Sequence, residues 1–290
     1  LDGAGAAVKV AALVAVLLAL AAPARAEDAC GDPRDAARGP LPGGTDGADY
    51  GSVPETCAGT DLGLRLRGSA LVASAMPDYY GNVAAAATAR LRHRLGHGAP
   101  TWLSLAVDLT TFRYVANAVV TSTGLSFGPA TLGIHRSFLL GDRAAASVYG
   151  RALLPLDTAR AEGVRLGFEL GATGRRTLGA RFGVQGGAAV LSPVVIVGGQ
   201  EHATFEPVGL AEGWFAPGPR FALTAGLSAR AELGPDPTFL TLAPRVAARL
   251  ATRRGLSFAL LVEAPVAGTD RTNLVAGLFA GWSADPVADR

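Results

Sequence analysis

Lysine, methionine and cysteine are nearly missing from this 290-residue chain: Lys9 is the only lysine, Met is present once and Cys twice. Charge is sparse too, at 17% of residues where soluble proteins average about 25%. The net charge is only +2, and no basic stripe is interleaved with aromatics, which excludes an electrostatic nucleic-acid surface. The chain is too apolar for an ordinary secreted globule. Yet after the N-terminal run no stretch of continuous apolar residues approaches the roughly 18 needed for a membrane-spanning helix, so helices do not carry that excess. Metal-ligand spacing is lacking as well: His93, His97 and His202 stand in no ligating pattern, and Cys30 and Cys57 are far apart with no histidine nearby. The 38 glycines form no phosphate-binding loop, and no cofactor is expected.

What the chain does contain begins with thirteen apolar residues, Val10 to Ala22, preceded by Lys9 and followed by Pro23, Ala24, Arg25 and Ala26. This is the pattern of an export signal over residues 1–26, with Ala24-x-Ala26 as the cleavage site. Residues 27–60 follow, with Pro33, Pro40, Pro42, Pro54 and many Gly and Asp but no periodicity, and are expected to be irregular. In an oxidising compartment Cys30 and Cys57 are expected to form a disulfide, closing a loop of about 28 residues and contributing about 3 kcal/mol in a chain-entropy estimate.

From Asp61 onward apolar and polar residues alternate with period two. Val164, Leu166, Phe168, Leu170 and Ala172 interleave with Arg165, Gly167, Glu169 and Gly171, and Leu103, Leu105, Val107 and Leu109 form a similar set. Two others are Phe221, Leu223, Ala225, Leu227 and Ala229, and Leu256, Phe258, Leu260 and Val262. Successive side chains on a strand point to opposite faces, so each set makes one apolar face. The pattern predicts strands near 62–75, 82–95, 101–112, 127–140, 143–154, 162–173, 176–190, 206–215, 219–233, 238–251, 255–265 and 272–283. Most exceed the roughly five or six residues usual in soluble proteins and reach the 9–11 or so that cross a bilayer.

Segment 113–126 offers Val119, Val120 and Leu125 for a thirteenth strand. Read instead as a loop, it leaves short turns after even-numbered strands, such as Gly141-Asp142 and Gly174-Arg175. Longer connections such as 113–126 and 191–205 then follow odd-numbered ones. That parity is the one barrels of the outer membrane use, with both ends on the periplasmic side. The expected fold is all-β: an antiparallel up-and-down transmembrane β-barrel of about 12 strands, within a range of 10–14, over residues 61–283, with a tail at 284–290.

On these features the chain resembles the Gram-negative outer-membrane β-barrel proteins over residues 61–283. In that family the last strand carries an aromatic read by the barrel assembly machinery, and Trp282 in Leu274, Ala276, Leu278, Ala280, Trp282 matches it, though eight residues follow. The resemblance implies outer-membrane lipid and the assembly machinery as partners. Tyr79, Tyr80, Trp102, Phe112, Tyr114, Trp214, Phe215 and Trp282 lie near strand ends, where the family places aromatic girdles.

If the apolar faces meet lipid, the opposite faces line the lumen. The residues expected there are Arg65, Arg67, Arg90, Arg92, Asp108, Arg151, Arg165, Glu169, Arg181, Arg230, Glu232, Arg245 and Glu263, with Arg94 and Arg249 nearer the ends. Arginine outweighs acid in this set. One reading is a narrow passive channel for small polar or anionic solutes, since rings of arginine select anions. A second is a structural barrel whose charges pair across a closed lumen, and a third is a secreted or periplasmic soluble β-sheet binding protein, because alternation alone does not say which face is wet. His135 and Ser137 share a strand face and resemble the His-x-Ser pair of lipid A deacylases, but the sequence places no carboxylate to orient the histidine, and no enzyme activity is expected.

Overall fold

The computed structural model of the chain describes residues 56, 60–73, 80–95, 101–116, 121–140, 143–156, 164–197, 200–218, 220–233, 239–252, 256–266 and 274–283. The export signal at 1–26, the irregular segment 27–60 except Thr56 and Thr60, the Cys30–Cys57 pairing and the 284–290 tail lie outside them. In chain order the strands are β1 (Asp61–Ala73), β2 (Tyr80–Arg94), β3 (Thr101–Ala116), β4 (Thr121–Ser126) and β5 (Ala130–Leu139). They continue with β6 (Ala144–Leu154), β7 (Val164–Thr177), β8 (Phe182–Val197), β9 (Gln200–Ala203) and β10 (Glu206–Gly218). The last four are β11 (Phe221–Glu232), β12 (Phe239–Ala251), β13 (Leu256–Glu263) and β14 (Leu274–Ser283).

Every pairing in the ladder is antiparallel, and β14 closes on β1 from Asp61↔Ser283 to Ala70↔Leu274. Closure leaves no edge strand, so every backbone donor and acceptor around the wall has a neighbour to bond without water. Fourteen segments make twelve staves, because β4 and β5 both pair with β3, and β9 and β10 both pair with β8. The β4/β5 break falls at Gly128, whose φ of 89° is one that a side chain would disfavour. β1 enters and β14 leaves at the same rim, called here the terminal rim.

Three boundaries differ from the sequence reading. Segment 113–126 is neither a plain loop nor a thirteenth stave, since it prolongs β3 and folds back as β4 in a hairpin on the far side from the terminal rim. Segment 191–205 does the same with β8 and β9. The turn expected at Gly174-Arg175 lies later, between Thr177 and Phe182, because Gly174 and Arg175 still pair with Gly186 and Gln185. Glycine marks turns and also permits close packing inside a strand, and here it does the second.

The burial pattern fixes which face is which. Leu62, Leu64 and Leu66 point out and are exposed, as are Leu223, Leu227, Phe258 and Leu260, and Phe168 is 70% exposed. Asp108, Glu169, Ser137 and Ser147 point in and are at most 1% exposed. Apolar outside and polar inside is the inverse of a sheet protein stable in water, and the physical partner for such an exterior is hydrocarbon. Strands of 10 to 16 residues, such as β3, β8 and β14, are long enough to cross it. The interior is not uniformly polar. Tyr149, Leu153, Ala189, Leu191 and Val208 pack together on the β6–β10 wall.

Candidate functional site

The interior is organised by rows of cross-strand partners, and glycine decides where large side chains meet. Gly226 of β11 stands between Glu212 of β10 and Arg245 of β12 in one row. A Cβ there would run into Glu212 and the Ala211 carbonyl; without one, Arg245 Nε reaches Glu212 Oε1 at 2.7 Å across the intervening strand. Arg245 also lies 4.0 Å from Glu263 Oε2. Gly133 plays the same part between Ser104 and Arg151, and Gly171 lets the Tyr149 ring lie over it.

Around that second cluster Tyr149 Oη donates to Glu169 Oε1 at 3.0 Å and Arg151 Nη1 lies 3.5 Å from both Glu169 oxygens. His135 is stacked between Trp102 and Tyr149, with ring centroids 5.2 and 5.5 Å apart, and its Nε2 is 2.8 Å from Ser104 Oγ. The serine beside this histidine is therefore Ser104 of β3; Ser137 instead donates to the carbonyl of Thr56. Glu169, the nearest carboxylate in this cluster, is engaged by Tyr149 and Arg151. The His135/Ser137 pair suggested by the sequence is not assembled: Ser137 is turned to Thr56, while Gly133, the cross-strand partner of Ser104, leaves the space in which Ser104 reaches His135 from the adjoining row.

Arg65, Arg67, Arg90, Arg92 and Arg94 point inward on the adjacent strands β1 and β2. Gly63 and Gly281 leave room for Phe279 to lie flat, and the Arg90 guanidinium rests 4.6 Å from its ring centroid, a cation–π contact. Two acids lie beside this stripe in the ladder: Asp61 of β1 is the cross-strand partner of Arg92, and Asp108 of β3 accepts a hydrogen bond from Thr88 Oγ1 at 2.5 Å. The flanking strand β14 turns Val275, Gly277, Phe279 and Gly281 toward it, none of them charged.

Arg230 of β11 bonds Glu206 through Nε at 2.8 Å and through Nη2. Glu232 and Glu263 are half-buried on the inner face. Arg181 is exposed in the bend between β7 and β8, which the displaced turn explains, and the Arg165 side chain is outside the described residues. Arg249 is buried on the inner face of β12, and Arg175 faces inward with its guanidinium 6.0 Å from the Trp214 ring centroid.

Two inner acids escaped the sequence reading. Glu206 and Glu212 share their face of β10 with Val208, Leu210 and Trp214, whereas Gly209, Ala211 and Gly213 face out. The larger apolar residues of that strand point inward, against the general rule. Its parity was readable from the two glutamates, because a carboxylate facing lipid costs free energy that an inward glycine or valine does not. Trp102 and Trp214, assigned to interfacial girdles, are each 2% exposed and point inward, where His135 and Arg175 cover them. Phe112, Tyr114, Phe215 and Trp282 do face outward near strand ends.

No protein-family model and no curated protein matches the chain. Solved structures do. One is the COG4313 outer membrane channel from Pseudomonas putida F1, with a TM-score of 0.65 at 15% identity over 82% of this chain and 99% of that one. The β domain of the Bordetella autotransporter BrkA follows at 0.53 and 12% identity, covering 78% and 99%. The translocator domain of the autotransporter NalP from Neisseria meningitidis gives 0.51 and 13%, covering 77% and 88%. Channels and translocators alike share this wall, so the likeness defines a class by architecture: a 12-stranded barrel of the Gram-negative outer-membrane type.

Proposed function

We propose that the protein is a narrow outer-membrane channel that passes small polar or anionic solutes, with the terminal rim on the periplasmic side. The observation that carries this reading is the arginine stripe of β1 and β2. Arg65, Arg67, Arg90, Arg92 and Arg94 lie on two neighbouring strands that carry one acid in register with them, Asp61 opposite Arg92, and whose flanking inner faces contribute Asp108 from β3 and no charge from β14. Around the rest of the wall arginine and acid are closer to balance, as in Arg151–Glu169, Arg230–Glu206 and Arg245–Glu212, whereas the stripe sets five arginines beside Asp61 and Asp108. Positive potential is therefore concentrated along one wall, where a low-dielectric surround strengthens attraction for an anion. The TM-score of 0.65 to an outer membrane channel is in keeping with this use of the fold. The channel reading is preferred to an enzymatic one because His135, Ser137 and Glu169 are bound to separate partners.

The experiment is reversal-potential measurement in planar bilayers under a salt gradient. Anion preference is expected for the parent barrel, with a shift toward zero in Arg65→Gln/Arg90→Gln. Cation preference in the parent would overturn the proposal. A second reading, a structural barrel with a closed lumen, is favoured by the burial of the Arg245–Glu212 and Arg151–Glu169 pairs, whose charges face one another inside the barrel. A barrel that is folded and inserted yet passes no current would establish it.

A further inference from the structure

Among the described residues, Thr56 lies inside the barrel and belongs to no strand. It precedes β1 and is buried against the inner wall. Ser137 Oγ donates to its carbonyl at 2.6 Å, and Thr173 Oγ1 donates to its Oγ1 at 3.0 Å.

The register shows that this seat is built into the wall. Ser137, Ser147 and Thr173 are successive cross-strand partners on β5, β6 and β7, and the row continues through Gly187 of β8 to Leu210 of β10. The adjoining row away from the terminal rim carries His135 and Tyr149, and the row toward the rim carries Arg175 and Gln185. The three small hydroxyl side chains thus lie in line, with His135 and Tyr149 on one side and Arg175 and Gln185 on the other, and leave a seat against the wall. Thr56 occupies it, and Ser137 and Ser147 beneath are completely buried. A peptide carbonyl inside a barrel needs a donor to replace water, and Ser137 supplies one.

We infer that Ser137, Ser147 and Thr173 form a dock for Thr56, and that Thr56 seated there is a constriction near the terminal rim that limits current through the bore. The dock stands on geometry alone, whereas the constriction rests on the channel reading above. The ligand of this site is Thr56 of the same chain, and its place near the terminal rim puts the constriction on the periplasmic side in the proposed orientation.

The test places Thr56→Cys and Thr173→Cys together in a Cys30→Ser/Cys57→Ser background of the full chain, oxidised in the folded barrel with copper phenanthroline. A 56–173 disulfide is expected, detected as altered mobility of the denatured chain. It should be absent when Thr56→Cys is combined with Ser228→Cys on β11, three staves round the wall from Thr173. Failure to cross-link 56 to 173 would overturn the dock.

Single-channel recording then tests the constriction. The oxidised protein should hold a low conductance level, and reductant should release steps to a level at least twofold higher. Ser137→Ala/Thr173→Val, which removes both hydrogen bonds at nearly constant volume, should visit that higher level without cross-linking. Efficient cross-linking with identical current before and after reduction, and in the double variant, would overturn the constriction. An absence of current in every variant would sink the channel reading and the constriction with it, while the cross-link still decides the dock.

Discussion

A deeply buried ion pair of this barrel is joined across a glycine. Arg245 and Glu212 are two strands apart, and they touch because Gly226 between them has no side chain. Removing one partner of such a buried pair leaves an uncompensated charge at a cost of about 3–5 kcal/mol. Arg245→Met should therefore lower stability by about that much in urea unfolding from lipid vesicles, and Arg245→Met/Glu212→Gln should recover part of it. An Arg245→Met barrel as stable as the parent would show that the pair contributes nothing. Gly226→Val brings a side chain against the Glu212 backbone and the Ala211 carbonyl, neither of which yields easily. Overpacking of this kind costs about 1–3 kcal/mol before the ion pair is disturbed, so the same unfolding series should place it below the parent. The inward glycines were visible in the sequence, but their role was not. A glycine in an alternating strand reads equally well as a turn, a bulge or a spacer, and only the neighbouring rows distinguish them.

At the scale of the strand, the pleat makes alternation dependable. The outward faces of β3, β7, β11 and β13 were legible because Leu103, Phe168, Leu227 and Phe258 recur with period two and meet nothing but the surroundings of the barrel. Their energetics should depend on depth. Leu227 lies midway along β11 and Phe221 at its terminal-rim end. An arginine at mid-depth on the lipid face costs about 2–4 kcal/mol, and one near the interface about 0–1 kcal/mol. Leu227→Arg should therefore destabilise the vesicle-inserted barrel far more than Phe221→Arg. Equal effects would argue against a bilayer around this wall. Strand β10 was harder to read. Small residues face out and Val208, Leu210 and Trp214 face in, so an apolarity count pointed the wrong way while Glu206 and Glu212 pointed the right way. Strand ends were obscured for a different reason: β3 and β8 continue past the wall into hairpins, and pairing between two strands outside the barrel needs no apolar face to mark it.

For the whole molecule, closure of β14 on β1 is the decisive event, since it converts an edge-bearing sheet into a wall whose backbone groups are all paired. Barrels closed in this way unfold only when the whole ladder opens. Electrophoresis in dodecyl sulfate should show a compact form without heating and a slower one after boiling. A single heat-independent band would contradict a closed barrel. The number and order of staves, and most of the outward apolar belt, were legible in the sequence alone, because each depends on the period-two geometry of one strand and on the chain between neighbours. The tertiary structure decided the rest. That Glu212 meets Arg245, that Ser104 rather than Ser137 meets His135, and that Thr56 seats on β5, β6 and β7 all depend on stagger between strands. Stagger is set when the sheet closes, and no single strand carries it.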